Sequence, residues 1–447
     1  MKVGNWGNYP VTDAIVQDLR GGSGLHQQLQ ELQGGIARGL GRCYGDSALA
    51  PRILSTTRHN RFLDFDTERG ILTCEGGLSF AEILPIIVAK GWFLPVTPGT
   101  KFVTVGGAIA SDVHGKNHHK EGSFSAHVVR LRLLVADGQV LECSPTEQAE
   151  VFAATCGGMG LTGIILQATF RLKRIQSAYI REESTKLGHV DDLFRAFEGA
   201  QAFTYSVAWV DCLSKGKHLG RSILLNGEHA TLEDLRTHRM ASTPFELPKK
   251  MKLSVPFMLP SFTLNPLTIR LFNSLYYAKA PRGSSVHITD YESYFYPLDG
   301  VMHWNRVYGK KGFVQYQFVI PPQNGHEGMV KILEAISSAR MPSFLTVLKY
   351  MGPQEGMISF PMEGYTLALD FPVTERLFSF LDGLDQVVRD FGGRLYLTKD
   401  SRMSADMFRS GYPDWQKFQQ IRRSLDPHGV FASLQSRRLG LENDLSR

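Results

Sequence analysis

The residues that could do chemistry in this chain gather in three glycine-rich segments, a histidine–lysine cluster and a pair of glutamines. The first segment, ARGLGRCYGDSAL (37–49), spaces Gly39, Gly41 and Gly45 so that backbone N–H groups can approach an anion and positive φ is accessible. Its spacing is not the G-x-G-x-x-G of a dinucleotide-binding βαβ unit, and no helix follows it. The second, PVTPGTKFVTVGGAIASDVHGKNHHKEGSF (95–124), turns at Pro98-Gly99 and runs through Thr104 and Gly106-Gly107 into a small-residue helix start. Free N–H groups and the macrodipole make such a helix start a ready diphosphate site. His114, Lys116, His118 and His119 follow, but no carboxylate or cysteine completes a metal set, so no metal is expected. The third, CGGMGLTGII (156–165), is a glycine-rich turn into a strand.

Further along, Gln315 and Gln317 flank Tyr316 in GFVQYQFVIP (312–321). On a strand both amides point to one face, which suits a hydroxyl-rich ligand. Lys349 lies inside the apolar run FLTVLKYMG, where a charge usually has a partner or a job. Trp209 and Tyr296 read as pocket walls, Trp209 almost as readily as a core aromatic.

Elements must hold these groups in place. ILTCEGG (71–77) reads as a strand, and FAEILPIIVAKG (80–91) as a helix stopped by Gly91. VVRLRLLVADGQVLEC (128–143) reads as a hairpin turning at Asp137-Gly138, and TGIILQATFRLKRI (162–175) as a β-rich run. The first 175 residues thus alternate strands and helices. From about 179 to 393, FTYSVAWVDCL, GFVQYQFVIP and GYTLALDFPV read as strands, separated by the helical patterns GMVKILEAISSAR and ERLFSFLDGLDQVVRDFG. That predicts an antiparallel sheet covered on one side, an α+β layer. The segment 249–283 is apolar, broken by proline and free of acidic residues; it reads as a lipid-touching surface loop or a helical hairpin packed on the sheet.

With 447 residues the chain is too long for one core, and two or three domains are expected. Its 43% apolar and 21% charged residues are those of an ordinary globular protein. A net charge of +6 without a dense basic, aromatic-laced run gives no sign of nucleic-acid binding. Five cysteines with no C-x-x-C pair point to a reducing compartment and away from zinc or a disulfide framework. No signal-peptide core and no run of about 18 apolar residues is present, so a cytoplasmic location is expected.

The three glycine-rich segments, in this order, resemble the vanillyl-alcohol-oxidase type of FAD-binding fold. Within that type the chain resembles the family of oxidoreductase subunits of decaprenylphosphoryl-β-D-ribose 2′-epimerases. YSVAW (205–209), WNRVYG (304–309), QYQFVIP (315–321), DFP (370–372) and YLTKDSR (396–402) extend that resemblance over most of the chain. It implies an FAD-binding domain in two parts, 1–178 and 394–447, with a substrate domain, 179–393, inserted between them. Gly39, Leu40, Gly41, Arg42 and Cys43 then face the diphosphate, with Tyr44 close to the flavin. Gly99, Thr104, Gly106 and Gly107 form the second wall; Asp112 and His114 lie near the flavin, Ile164 near the adenine, and Tyr396 returns from the far end. Arg42 stands where related lactone oxidases carry the histidine tethered to FAD. A guanidinium cannot be that tether, so noncovalent FAD is expected.

The implied chemistry is oxidation of the 2′-hydroxyl of a polyprenylphosphoryl pentose, with an NAD(P)H-dependent short-chain reductase completing the epimerisation. Lys399, His114 and Tyr44 are the expected catalytic residues. Lys116, Gln315, Gln317, Lys349, Tyr296 and Trp209 are expected at the substrate. Ala368 stands where mycobacterial members have a cysteine. A lipid substrate also implies peripheral contact at the inner face of the membrane. A sugar-lactone or sugar-alcohol oxidase using oxygen, or a flavin-binding subunit without turnover, would share the fold.

Overall fold

The computed structural model describes residues 1–21, 24–236, 242–248, 250–251, 253–260 and 263–442. Three sheets carry the architecture. The largest has eight strands in the order Ser284–Asp290, Tyr179–Leu187, Ser222–His229, Tyr205–Val210, Thr346–Met351, Gly364–Pro372, Phe313–Ile320, Arg394–Leu395. Every neighbouring pair in it is antiparallel. Strict alternation gives it two unlike faces. Val314, Tyr316, Phe318 and Ile320 share one face with Leu367, Leu369, Phe371, Leu348, Ala208 and Leu224, all buried. Helices Val190–Ala200, Pro322–Ala339 and Leu377–Asp390 close over that face through Leu193, Phe197, Met329, Ile332, Leu333, Leu381, Leu384 and Val388. Each such side chain contributes ~1.5–3 kcal/mol on burial, so this layer is a main source of stability. The opposite face carries Gln315, Gln317, Asp370, Ala368, Thr366, Val347 and Lys349.

The five-stranded sheet is also antiparallel, in the order Val140–Cys143, Val128–Leu134, Ile164–Arg171, Ile71–Glu75, Phe62–Asp66. The expected hairpin is there, with Gly138 at φ 89° and Asp137 accepting from the Gln139 amide. Helix Phe80–Val88 starts on a Ser79–Glu82 capping box, and the chain turns at Gly91 with φ 78°. A small parallel sheet, Ile15–Asp18, Arg52–Ser55 and Ile36–Arg38, precedes it. Its strands deliver the chain to the first glycine-rich loop.

The last residues return to this layer. Gly35 bridges Phe431, and the Leu434 amide donates to the Leu49 carbonyl. Arg438 spans Asp46 (2.8 Å) and Asp400 (2.8 Å), tying the first glycine-rich loop to the YLTKDSR loop. Gly45 is required there, because a Cβ would lie 1.7 Å from the Asp400 carbonyl oxygen.

Among the described residues of 249–283 the structure holds one α-helix, Pro266–Lys279, and a two-residue strand, Leu253–Ser254, rather than a helical hairpin. Lys249, Lys252, Ser261 and Phe262 lie outside the described residues. Asn265 caps the helix, and only Ile269 and Asn273 are buried. Leu267, Leu271 and Leu275 form an exposed row, 76%, 61% and 63% accessible. Among the described residues no helix is long and apolar enough to cross a membrane.

Candidate active site

The glycine-rich loops and the polar face of the large sheet line a single cleft. On one side lie Gly39, Leu40, Gly41, Arg42, Cys43 and Tyr44, with Gly99, Thr104, Gly106, Gly107 and Ile164 across from them. Among the described residues the amides of Leu40, Gly41, Arg42 and Cys43 meet no acceptor in the chain. Packing keeps the walls bare: a Cβ on Gly39 would sit 2.3 Å from Thr104 Oγ1. Free amides between walls without side chains fit a dinucleotide diphosphate.

The helix start at Gly106-Gly107 does not act as expected. Its amides are already used: Val105 N–H donates to Leu78 O, Gly106 N–H to Gly76 O, and Gly107 N–H to Thr104 Oγ1. That helix, Val105–Ala110, therefore offers close backbone approach rather than free donors. Arg42 turns its guanidinium onto Trp6, 3.9 Å from the ring centroid, beside Phe102 and toward Asp299. The side chain thus sits at the mouth, with Trp304 packed against Trp6.

Beyond the glycine walls the cleft meets Gln315, Gln317, Lys349, Ala368, His114, Tyr396 and Lys399. The Gln317 amide donates to His114 Nε2 (3.0 Å) and lies 3.2 Å from Thr366 Oγ1. Nε2 is then an acceptor and Nδ1 bears the hydrogen, and among the described residues Nδ1 is buried without a partner. Burial holds the His114 pKa well below the usual range, and Lys349, His118 and Lys399 push the same way. His114 is therefore a neutral N–H donor aimed from a wall, not a cation. Tyr396 stacks on Phe360 (4.4 Å) and donates its hydroxyl to Ser111 O (3.0 Å).

Lys349 has no acidic neighbour among the described residues; burial alone pulls its pKa down to about 8. Lys399 lies over the Tyr44 ring (3.8 Å), and the Tyr44 amide donates to Thr398 O (3.0 Å). Burial lowers the Lys399 pKa, while Asp370 pulls it back up. Two lysines without a hydrogen-bonded carboxylate in one cleft make a field that attracts anions and readily accepts a proton.

Four expected site residues do not line this cleft. Asp112 sits behind it at φ 40°, clasped by Ser359 Oγ (2.6 Å) and Gln354 Nε2 (2.7 Å), and so fixes the loop 352–362. Lys116 turns away, donating to Tyr294 O (2.5 Å) with Nζ 3.8 Å above the Tyr294 ring. Tyr296 bonds Thr97 Oγ1 (2.6 Å) and braces the second glycine-rich segment from outside. Trp209 shares the polar face but lies further along the sheet, packed on Tyr276 (4.8 Å). These are supports, not walls.

Sequence reasoning missed Asp370, Asp299 and the Gln354–Ser359 clasp. For Asp370 a signal existed. In GYTLALDFP, Thr366, Ala368 and Asp370 alternate with Tyr365, Leu367, Leu369 and Phe371, which puts the acid on the face of the glutamines. Asp299, which accepts from Thr100 Oγ1 (2.8 Å) and the Lys101 amide (2.9 Å), gave no local sign.

Residues 36–144 match the FAD binding domain family, and residues 366–439 match the D-arabinono-1,4-lactone oxidase family. Fold and cleft together define an FAD-dependent oxidoreductase, with an antiparallel sheet and helices beside the cofactor-binding part. The chain is 39% identical to decaprenylphosphoryl-β-D-ribose oxidase of Mycolicibacterium smegmatis, over 92% of this chain and 90% of that one. It is 23% identical to L-gulono-1,4-lactone dehydrogenase of Mycobacterium tuberculosis, over 90% and 89%. To L-gulonolactone oxidase of Mus musculus it is 26% identical, over 83% and 81%. The chain belongs to the decaprenylphosphoryl-β-D-ribose oxidase family.

Proposed function

We propose that this enzyme oxidises the 2′-hydroxyl of a polyprenylphosphoryl-β-D-ribose to the 2′-keto sugar, the first half of an epimerisation to the arabinose donor. The observation that carries the reading is the joining of two unlike surfaces in one cleft. Bare glycine loops with free amides meet a sheet face bearing Gln315, Gln317, Lys349 and Lys399. FAD, when bound, supplies the two-electron acceptor for the carbinol hydrogen.

The chain's own residues do the rest. Leu40 to Cys43 offer amides to the diphosphate; Gly99, Thr104, Gly106, Gly107 and Ile164 form the facing wall. Lys399 Nζ takes the hydroxyl proton, and Tyr44 beneath it favours the ammonium that results by a cation–π contact. His114 donates through Nδ1, and Gln315 and Gln317 orient the sugar. Lys349 serves the phosphodiester. Asp112, Lys116, Tyr296 and Trp209 hold these groups from behind. This division of labour treats 1–178 and 394–447 as the cofactor-binding parts and 179–393 as the substrate part. FAD is held noncovalently, since Arg42 stands at the tether position and stacks on Trp6. Trichloroacetic acid should release all the flavin into the supernatant.

The product, a 2′-keto sugar, must be reduced from the opposite face, the work of an NAD(P)H-dependent short-chain reductase. The exposed row Leu267, Leu271 and Leu275 gives a surface for peripheral contact with the inner face of a membrane. Replacing the three leucines by serine should abolish flotation with anionic vesicles and leave flavin content unchanged.

The deciding experiment is anaerobic mixing with polyprenylphosphoryl ribose. The flavin absorbance should bleach at a rate that saturates with substrate. Aldonolactones should not bleach it; bleaching by a lactone and not by the lipid sugar would replace this reading with lactone oxidation.

A further inference from the structure

The lysine assigned to the hydroxyl proton has an obvious acidic neighbour, Asp400, and that neighbour is already committed. Asp400 Oδ1 accepts from the Arg402 and Met403 amides (2.9 and 2.8 Å), and Oδ2 accepts from Arg438 (2.8 Å). A second carboxylate, on another strand, reaches the neighbourhood of Lys399 through Gln315, which lines the cleft with Lys399 and Tyr44 and donates to Asp370. Asp370 is 0% exposed and directly opposite Gln315 in the sheet register, on the same face of the sheet. Its Oδ1 accepts from Gln315 Nε2 (2.5 Å), and its own amide reaches Ser343 Oγ (3.0 Å). Among the described residues its Oδ2 is buried without any hydrogen-bond partner. A bare carboxylate oxygen in such a place is costly unless a cation answers it.

We propose that Asp370 is a positioning residue for the oxidation: its unpartnered oxygen is the counter-ion that sets the charge of Lys399 when the substrate hydroxyl arrives. The inference rests on the functional reading above. The substrate O–H bond breaks, and the proton lands on Lys399 Nζ, which must be neutral beforehand. The electron pair of the carbinol C–H bond leaves with its hydrogen to the flavin, the oxidant this class of enzyme carries. Nζ becomes a cation as the proton moves, and Asp370 stabilises that charge where it develops.

The groups facing the pair are few. Lys399 lies over Tyr44 and feels the charges of Asp370, Lys349 and Cys43, and its own charge is felt by His114. Asp370 bonds Gln315 and Ser343, and its charge acts on Tyr44, Tyr308 and Lys399. Only Asp370 and Cys43 favour a charged lysine, and burial pushes the Cys43 thiol pKa up, so it stays protonated. Burial likewise raises the Asp370 carboxyl, with Gln315 and Lys399 pulling it down. Among the described residues, Asp370 is thus the one group whose charge can answer that of Lys399.

Asp370→Asn in the FAD-loaded enzyme keeps the shape and the Gln315 bond and removes the charge. Competitive acylation of Lys399 across pH, read by peptide mass spectrometry, should show its pKa lower by at least one unit. Substrate-driven bleaching should slow about 10²-fold at saturation with KM within twofold, because Asp370 does not touch the sugar. An unchanged acylation profile overturns the proposal, and so does a loss that appears in KM alone.

If the variant does not fold, Lys399→Met supplies a second measurement. Left alone, Asp370 should show a stronger protonated-carboxyl infrared band at neutral pH than the wild type; no gain over the wild type also overturns the proposal. Acylation needs no substrate. A wild type that polyprenylphosphoryl ribose fails to bleach would therefore refute the assigned reaction, while the lysine profile still decides the pairing.

Discussion

The two faces of the large sheet are built from the same strands, yet one holds the fold together and the other carries the chemistry. Under the helices, Phe318, Leu348, Leu367 and Leu369 are fully buried in an apolar layer. On the cleft side the alternate positions are Gln315, Gln317, Lys349, Thr366 and Asp370, with amides, a lysine and an orphaned carboxylate oxygen. A strand has a side-chain period of two, so a one-residue slip would drive Phe318 into the cleft and Gln317 into the core. The strength of the packed face is what lets the other tolerate buried charge. Function is placed opposite the core rather than at its edge.

Four changes test that division. The largest effect is expected from Lys399→Met: the substrate-driven bleaching rate should fall ~10³-fold while flavin stays bound, since a base is lost and not a wall. Stopped-flow absorbance on the variant checks it; a loss under tenfold would move the base elsewhere. Phe318→Ala, one residue from Gln317 but on the packed face, should instead destabilise by ~3–5 kcal/mol in a denaturant melt. Its folded fraction should bleach at the wild-type rate. A large rate defect there would break the separation of the faces.

Gln317→Leu should slow bleaching about tenfold, because His114 loses the donor that fixes its tautomer. The sharpest comparison comes from Lys349→Met. It should raise KM for the phosphodiester about tenfold and yet stabilise the protein by ~1–2 kcal/mol at neutral pH. The sign follows from burial. The folded-state pKa of Lys349, about 8, lies below that of a free lysine. The penalty for charging it is fully present below pH 8 and fades as pH rises toward about 10.4. Melts of the two proteins at pH 7 and pH 10 should therefore converge at the higher pH.

Much of this architecture is legible in the amino-acid order alone. Apolar alternation in 312–321 and 364–373 marks two neighbouring central strands, and the capping residues of 79–91 mark a helix to within a few positions. The glycine-rich loops show themselves by backbone demand, which leaves a strong compositional trace. What a single sequence hides are relations across distance. Lys116 sits two residues from His114, yet its amine is captured by the Tyr294 carbonyl. The free N–H groups expected at Gly106-Gly107 are taken by Gly76 and Thr104, the former from a turn about thirty residues earlier. Lys399 is adjacent to Asp400, but Arg438 claims that acid. In each case a second bidder for the same polar group comes from elsewhere in the fold, and local residue patterns carry no trace of it.

The return of the chain end to its beginning has a consequence for manufacture. The first glycine-rich loop is pinned by Thr398, Asp400 and Arg438, and the parallel sheet beside it by Phe431 and Leu434. A ribosome reaches those positions only after roughly three hundred and fifty residues have followed that loop. Until then the diphosphate loop lacks its far supports, while the large sheet, all of whose strands lie between, can already pair. Synthesis order thus makes cofactor capture a late event, and the newborn chain must carry an open flavin cleft until its last helices emerge.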